Sequence, residues 1–433
     1  MLRIIHTADV HLGARHSDLG EQASAQRERQ FAAFKATIEL ALTEKVDLVL
    51  VAGDLFDSNV QPRRSVERVA AEFKRLVEAR IRTVIIPGTH DVYDRASIYR
   101  AYDLPAMAGS RPGDDMITVL DPDHASVHLG TLETVVYGRV FATKRAPHSP
   151  LQGLGAGAAQ AVPAGPIPAA APATLAAAAA EARPATPDPA ATPAATPAAT
   201  PAATPAATWR IGMVHGSIAI PGKTDHDEVV ITTEEIAASG FDYLALGHWH
   251  SAQTAKAGNV TYAYPGAPEP VALDQDRAGK VLLVELDEGG GRRSVKVEER
   301  QVGRTTYLKL EVDAATVVSQ PVLVDVLAAR ANPDLVLDAR LVGVRRDELD
   351  LDLQEIETAL APSFLKVRVR DASVPALTEG PLPSPDTIAG AFIRDLEARI
   401  AVLEGAGSAD EAAEQRDALR LGRLLLAGHE VSL

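Results

Sequence analysis

Apolar runs and helical stripes alternate over the first hundred residues. Three short apolar runs, "LRIIHTA", "DLVLVAG" and "TVIIPG", are typical of β-strands, and the second is continuous enough to be buried on both faces. Strands separated by helices predict parallel pairing and an α/β layer. The helical stripes between the strands are Phe31, Phe34, Ile38 and Leu42, followed by Val66, Val69, Phe73 and Leu76.

This pattern stops at residues 147–208 and returns after them. The stretch is almost entirely Ala, Pro, Gly and Thr, and it ends in tandem "AATP" copies. Because it cannot bury enough apolar surface to offset its ordering entropy, we predict a disordered insertion. Lengthening a loop from ~10 to ~60 residues costs only about 1.6 kcal/mol of closure entropy. The insertion can therefore lie within a single domain formed by residues 1–146 and 209–285.

Strand patterns resume at Trp209. "WRIGMVHGS" and "FDYLALGHWH" predict strands that end in polar residues, and "KVLLVEL" and "SVKVEER" predict a hairpin across a Gly-rich turn. Residues 305–370 mix strand patterns with a helix near 321–331, which predicts a smaller α+β domain. The tail, 384–433, is predicted to be helical. Its apolar stripe consists of Ile388, Phe392, Leu396, Ile400 and Leu403.

Five of the predicted strands end in side chains that are able to bind metal ions. Each cluster alone is weak evidence, since Asp9 also fits a helix cap and a single His215 also fits a core or surface histidine. In α/β sheets, ligands bind beyond the carboxyl ends of the strands, so one site formed by all five is the better hypothesis. The clusters are Asp9 and His11; Asp54; Thr89, His90 and Asp91; His215; and His248 and His250.

The chemistry of these residues favours a two-metal hydrolase. A carboxylate placed between two cations can bridge them, and Asp54 is central in the series. Imidazoles and carboxylates without thiolates suit Mn²⁺, Fe or Zn²⁺, and the chain contains no cysteine. Such ions polarise a phosphate ester and lower the pKa of bound water. A neighbouring histidine can then protonate the leaving oxygen.

Net charge and hydropathy indicate which partners and which cellular compartment fit this chemistry. The formal net charge of −15 argues against a broad basic surface for nucleic acid, so phosphates would need metal ions, a partner or a local positive groove. The N-terminus lacks the pattern of a signal peptide, and no run of about 18 apolar residues occurs. We therefore expect a cytoplasmic protein without a membrane contact.

The five clusters resemble the calcineurin-like metallophosphoesterase superfamily, whose pattern is D-x-H, G-D-x-x-D, G-N-H-D, a single H and then G-H-x-H. Within it, "TADVHLG", "GDLFDSN" and "YPGAPEP" look like the SbcD-type DNA repair exonuclease subunits. The resemblance covers about 1–146 and 209–285. It implies a sandwich of two β-sheets flanked by helices, a small α+β capping domain at 286–375 that helps to select DNA, and a helical segment at 384–433 that docks on an SMC-like coiled-coil ATPase.

The resemblance also implies a role for each site residue. Asp9, His11 and His250 would hold a first metal ion, most readily Mn²⁺, and Asp54 would bridge to a second. Thr89, His215 and His248 would hold that second ion. His90 would be the catalytic acid, and Asp91 would orient it. Because the isolated chain is acidic, we expect a homodimer or a partner to complete the DNA-binding surface.

Thr89 departs from the family pattern, which has asparagine at this position. A threonine hydroxyl is shorter than an amide and is a poorer ligand. Thr89 could act through water, the second site could be weak, or the enzyme could have lost most of its activity. The other expected ligands remain, so we favour a working nuclease over two alternatives: a small-molecule phosphodiesterase and a catalytically weak structural subunit of the same ATPase complex.

Overall fold

The structure is a computed structural model, and it describes residues 1–146, 148–154, 209–224, 227, 229–272, 275, 277–290, 292–345, 349–375 and 383–426. The strands within these residues are β1 Leu2–Thr7, β2 Leu48–Ala52, β3 Arg82–Ile86, β4 Ile117–Val119, β5 Ser126–Leu129, β6 Thr134–Gly138, β7 Trp209–His215, β8 Ser217–Ile218, β9 Val230–Ile231, β10 Tyr243–Gly247, β11 Gln253–Ala257, β12 Val260–Tyr264, β13 Lys280–Gly289, β14 Arg292–Gln301, β15 Thr306–Asp313, β16 Asn332–Val342, β17 Val344–Arg345, β18 Phe364–Asp371 and β19 Val374–Pro375. The α-helices are α1 Ala23–Thr43, α2 Arg63–Glu78, α3 Ile98–Ala101, α4 Leu104–Met107, α5 Thr233–Ala238, α6 Gln320–Ala328, α7 Leu353–Leu360, α8 Ile388–Gly405 and α9 Ala409–Leu426.

Two six-stranded sheets form the main body. The first has the order β14-β13-β1-β2-β3-β4, and its strands β1 to β4 are parallel, as the alternation of strands and helices predicts. The second has the order β11-β12-β10-β7-β6-β5, with β12, β10, β7 and β6 parallel to one another. Antiparallel strands close the outer parts of both sheets.

The strands carry apolar residues on both faces of each sheet, so one face of each sheet can pack against the other sheet. In β1, Ile4 faces the second sheet and packs with Ile211 and Tyr243, whereas Ile5 faces the helices. A buried polar contact also crosses this interface. His6 Nδ1 lies 2.8 Å from the hydroxyl of Tyr243, and both side chains are inaccessible to solvent.

Helices cover the outer face of the first sheet. Phe34 of α1 and Phe73 of α2 meet edge to face, with 5.5 Å between ring centroids. All four apolar residues predicted for the second stripe are buried in α2: Val66, Val69, Phe73 and Leu76. Both helical stripes predicted from the sequence are thus confirmed as the faces of α1 and α2 that pack on the sheet.

A smaller unit contains the third sheet. Its strands have the order β15-β16-β18, and all of them are parallel. Helices α6 and α7 connect them, so this unit consists of βαβ repeats. The hairpin β13–β14 pairs with β1 instead, which corrects the expected start of the capping domain at residue 286. We therefore propose residues 305–375 as the capping domain, because 286–301 complete the first sheet.

The capping unit is joined to the body through polar and apolar contacts. The carboxylate of Glu269 accepts hydrogen bonds from the backbone N–H groups of Arg304 and Thr305. Asp334 of the cap lies 2.9 Å from a guanidinium nitrogen of Arg29 in α1 and 2.9 Å from one of Arg304. These bonds, with Leu19 packed against the cap sheet, hold the cap beside the start of α1.

The tail is helical, as expected, and forms the hairpin α8–α9. Its buried residues include Leu396 and Ile400 of the predicted stripe, but Ile388 is 86% exposed and Ile393 is buried instead. None of the described helices is long and apolar enough to cross a membrane.

Most of the predicted 147–208 insertion lies outside the described residues, but its beginning does not. Residues 148–154 form a turn in which Leu151 and Leu154 are buried beside Ile236 and Phe241. The guanidinium of Arg139 donates hydrogen bonds to carbonyl oxygens in the same turn. The expected start of the insertion at residue 147 is therefore too early.

Candidate metal centre

The five polar clusters meet at one edge of the sandwich, between the carboxyl ends of strands from both sheets. The first sheet supplies the residues that follow β1, β2 and β3: Asp9, His11, Asp54, Thr89 and His90. The second sheet supplies His215 at the end of β7 and, after β10, His248 and His250. Parallel strands with a common direction thus bring together residues separated by up to 241 positions (250 − 9).

The backbone of the site is held in a conformation that most side chains avoid. Asp9, His11, Asp54 and His248 have φ angles of 53°, 49°, 52° and 102°. This left-handed region costs a non-glycine residue energy and is concentrated at functional sites. Backbone hydrogen bonds hold the turns together, from the Asp9 N–H to the Gly53 carbonyl (3.1 Å) and from the His11 N–H to the Asp54 carbonyl (3.0 Å).

Two glycines make room for the site. A Cβ atom on Gly53 would lie 2.2 Å from His215 Nδ1, and one on Gly88 would lie 2.2 Å from Asp54 Oδ1. The φ angle of Gly53 is also positive, at 93°. Any larger residue at these positions would push a site side chain out of place.

Asp9, His11 and His250 form the first group of possible ligands. One ligand atom of each lies within 4.8 Å of the others. The Nε2 atoms of His11 and His250 are 3.2 Å apart, and His250 Nε2 is 3.7 Å from Asp9 Oδ1. The resemblance assigns these three residues to a first ion, and their ligand atoms lie close together.

Asp9, Asp54 and His215 form a second group within the same distance of one another. His215 Nδ1 donates to the Ala52 carbonyl (2.9 Å), which leaves Nε2 as the nitrogen with a lone pair. That atom lies 3.2 Å from Asp54 Oδ2, yet it is buried and has no hydrogen-bond partner among the described residues. His215 Nε2 and Asp54 Oδ2 therefore face each other at a distance that fits a shared metal ion or, without one, a shared proton.

Thr89 and His248 border this second group. The Thr89 hydroxyl is 3.5 Å from Asp54 Oδ2, at the limit of a hydrogen bond. The ring centroid of His248 is 5.4 Å from that of His215, and its backbone N–H donates to the Asp9 carboxylate. Both residues therefore lie beside the second group, and His248 belongs to neither of the two groups described above.

The electrostatics also fit bound cations. Burial pushes the pKa of Asp9 up, to about 6. Burial also opposes the charge on Asp54 and His215, but their mutual attraction prevails, so the pKa of Asp54 falls below its usual range and that of His215 rises to about 10. Burial lowers the pKa of His248 to about 4 and that of His250 to about 3, so both are neutral ligands at pH 7.

His90 stands at the rim of the site, where its side chain is 47% exposed. The ring Nδ1 of His90 donates to the backbone carbonyl of Asp57 (3.0 Å), and the backbone N–H of His90 donates to Asp54 Oδ1 (2.7 Å). The first bond leaves Nε2 as the nitrogen available to a substrate.

The role expected for Asp91 needs correction. Its carboxylate is fully buried and accepts hydrogen bonds from the N–H groups of Phe56 and Gly88 and from the Tyr99 hydroxyl. Among the described residues, none of these bonds joins it to His90. Asp91 therefore fixes the loop that carries His90, while the Asp57 carbonyl contacts the ring.

Two further residues contact the site and were not predicted from the sequence. Asp57 Oδ1 is 3.3 Å from His11 Nδ1, and the Gln275 amide contacts His250 Nδ1 at 2.5 Å. The second aspartate of "GDLFD" was the available signal for Asp57. Gln275 has no such signal, because it lies outside the motifs and reaches His250 only through the fold.

A sandwich of two mixed sheets with carboxylates and histidines gathered at one edge defines a metallophosphoesterase. Residues 2–141 match the family model described as calcineurin-like phosphoesterase, so this part of the chain carries a calcineurin-like phosphoesterase domain. The fold class and the family resemblance inferred from the sequence are thereby confirmed.

The chain is similar to a curated DNA repair protein and to a curated nuclease subunit. It is 26% identical to the DNA double-strand break repair protein Mre11 of Aeropyrum pernix over 72% of this chain, and the match spans only 64% of that longer protein. It is 28% identical to a component of the nuclease SbcCD of Rhodobacter capsulatus over 68% of this chain and 69% of that protein. A solved protein of Thermus thermophilus superposes with a TM-score of 0.36 at 13% identity, covering 70% of this chain and 99% of that protein.

Proposed function

We propose that this protein is a dimetal-dependent DNA nuclease that hydrolyses phosphodiester bonds as an exonuclease and endonuclease. The observation that carries the proposal is the position of Asp54. Its carboxylate lies 3.2 Å from His215 Nε2 in its own group of ligands and 3.8 Å from His11 Nε2 in the other group. The names of the two curated relatives favour DNA over a small phosphodiester as the substrate.

The donor atoms present support the following ligands for two ions. Asp9, His11 and His250 would hold the first ion, with Asp54 shared between the ions. Thr89, His215 and His248 would hold the second. Oxygen and imidazole donors without thiolates suit Mn²⁺, which we propose as the ion at both positions. When bound, such ions polarise the phosphodiester and activate water for attack.

The chain's own residues supply the remaining steps. His90 Nε2 points to the rim and protonates the leaving oxygen, because Nδ1 is held by the Asp57 carbonyl. Asp91 keeps the His90 loop in place from beneath. The arrangement provides proton transfer at the open side of the site and ion binding at its buried side.

The test is digestion of linear and hairpin DNA by the full chain in Mn²⁺. We expect His90→Ala to lower the rate roughly 10²- to 10⁴-fold, the range of general acid–base catalysis, without changing bound Mn²⁺. His128→Ala is the matched control, because His128 is an exposed histidine on the outer strand β5. A wild-type protein that binds two Mn²⁺ ions and leaves both DNAs intact would disprove nuclease function.

We also propose that the protein acts in the cytoplasm, as a homodimer, with an SMC-like coiled-coil ATPase. The name of the Rhodobacter capsulatus relative describes one component of a larger nuclease. In this chain the α8–α9 hairpin exposes Ile388 (86%), Val402 (70%) and Leu425 (56%), apolar surface of the kind that a helical partner covers. Val402→Glu should abolish co-elution with the ATPase, whereas Arg399→Glu on the same helix should weaken it less.

A further inference from the structure

Trp249 stands between the two histidines of "GHWH" and has a rigidly fixed ring. The ring stacks on Tyr264 with 4.7 Å between centroids and 17° between planes. Its Nε1–H donates to the Ser217 hydroxyl at 3.0 Å. Tyr264 and Ser217 are fully buried, so the indole is held by the protein core on one face and at its polar atom.

The other side of the ring faces a cavity that opens beside the metal site. The Nζ atom of Lys223 lies 6.0 Å from the Trp249 ring centroid, at the outer range of a cation–π contact. The cavity has a volume of about 640 Å³. Its lining includes His248, Trp249, His250, Ile220, Lys223 and Arg277. An aromatic surface, an apolar wall and two cationic side chains are thus placed directly against two of the proposed metal ligands.

We propose that this cavity, the Trp249 pocket, binds the nucleobase of the nucleotide next to the scissile phosphate. The inference rests on the proposed nuclease function and extends it to a recognition residue. Every base has a π-face, so stacking on an aromatic side chain is tolerant of sequence. Because Nε1 is already bonded to Ser217, Trp249 offers stacking and no base-specific hydrogen bond. Lys223 suits the phosphate on the far side of that nucleotide, and Arg277 lines the same cavity while paired with Glu299, 2.7 Å away.

The two tryptophans of the chain allow a binding test that needs no metal and no turnover. Trp209 is 4% exposed and stands at the opposite end of β7 from His215, roughly 20 Å away at the rise of a strand. Only Trp249 should therefore respond to a bound base. In EDTA, short oligothymidylate should quench the fluorescence of wild type and of Trp209→Phe, and should leave that of Trp249→Leu unchanged.

A second experiment separates stacking from mere support of the neighbouring histidines. Stacking on one aromatic side chain corresponds to roughly a 5- to 150-fold effect per base. Trp249→Leu should lower kcat/KM by that factor on normal DNA, and Trp249→Phe should lower it less. On DNA with one abasic nucleotide beside the cleaved bond, Trp249→Leu and wild type should differ by less than about 2-fold.

The outcomes distinguish failure of the pocket from failure of the nuclease proposal. Equal losses on normal and abasic DNA, or unquenched wild-type protein, would overturn the Trp249 pocket even if DNA is digested. Quenching that depends on Trp249 in a protein that digests no DNA would instead support the pocket and disprove the nuclease. Circular dichroism of Trp249→Leu and its retained Mn²⁺ binding would show that the fold and the metal site survive the substitution.

Discussion

The two sheets of the body contribute unlike halves to one site. The first sheet provides both carboxylates, Asp9 and Asp54, on turns with left-handed backbone. The second provides imidazoles only: His250 Nε2 lies 3.7 Å from Asp9 Oδ1, and His215 Nε2 lies closer to a carboxylate, 3.2 Å from Asp54 Oδ2. That contact raises the pKa of His215 to about 10 despite its burial, whereas burial lowers the pKa of His250 to about 3. The first sheet therefore provides the negative charge of the site. The second sheet provides His250 as a neutral ring and His215 as a ring that holds a proton beside Asp54 when no metal ion is bound.

This difference means that neither sheet forms the centre alone. Each proposed group of ligands takes a carboxylate from the first sheet and a histidine from the second. Ligand atoms from the two sheets can therefore share an ion only if the relative position of the sheets is fixed to within a fraction of the distance between those atoms. The following substitutions test the contribution of each half.

The largest effect should come from Asp54, the carboxylate proposed to bridge the two ions. Asp54→Asn keeps the shape of the side chain but removes the charge between His11 and His215. We expect DNA hydrolysis to fall roughly 10³- to 10⁴-fold, because ion binding and the contact to the His90 N–H are both weakened. Single-turnover rates and bound Mn²⁺ would measure it. A rate within about 10-fold of wild type would show that Asp54 is no bridge.

A second large effect should be a loss of folding stability at acidic pH, caused by His6 at the contact between the two sheets. Burial lowers the pKa of His6 to about 3, below its ordinary 6.5, so the unfolded chain binds this proton more readily. Stability from the neutral ring is complete above pH 6.5 and is lost as pH falls towards 3, on the order of 4–5 kcal/mol in all. Urea unfolding of metal-free protein from pH 7 to pH 4 measures it.

His6→Asn is the control for this acid effect, because an amide can replace the bond to Tyr243 without titrating. The difference in free energy of unfolding between wild type and His6→Asn should be constant above pH 7 and shift against wild type in acid. Parallel curves down to pH 4 would mean that the contact between the sheets does not depend on the neutral His6 ring.

An intermediate effect is expected for Asp57, which contacts two histidines of different roles. Asp57→Asn removes the carboxylate beside His11 Nδ1 but keeps the backbone carbonyl that contacts His90. Mn²⁺ affinity should fall roughly 10- to 100-fold, while kcat at saturating Mn²⁺ should stay near wild type. Calorimetric titration and rates at high Mn²⁺ would separate the two. A fall in kcat alone would place the side chain in proton transfer instead.

The smallest effect concerns Thr89, which departs from the family pattern. Thr89→Asn places a longer amide beside Asp54 and should tighten the second Mn²⁺ roughly 10-fold. Thr89→Val has the same shape as threonine without the hydroxyl and should weaken it. Mn²⁺ titrations of DNA hydrolysis compare the three proteins. Identical curves would show that position 89 takes no part in binding the second ion.

The fold could be predicted from the sequence to the extent that periodicity determines it. The apolar runs and stripes indicated β1, β2, β3, α1 and α2, because buried faces leave a repeat in the sequence. The hairpin β13–β14 was also predicted, but its membership of the first sheet was not. A strand's partner depends on which edge is free in the folded sheet, and residues 286–301 carry no local signal of the β1 edge.

The prediction of the site from the sequence was limited in the same way, at the level of individual atoms. Spacing at strand ends identified the residues that gather at one edge, including His215 and His250. The orientation of side chains within the loops was not available, so Asp91 was assigned to His90 although it bonds to Gly88, Phe56 and Tyr99. The ring of His90 is contacted by a backbone carbonyl instead. Every residue has such a carbonyl, so the sequence does not indicate this contact.

The left-handed turns at Asp9, His11 and Asp54 have a consequence for the protein in a cell. Residues held in such conformations cost roughly 1–3 kcal/mol each, which bound ions offset by binding only the folded chain. When divalent metal is scarce, the folded fraction should fall and proteases should remove the protein faster. Metal supply would then govern the abundance of this protein as well as its rate.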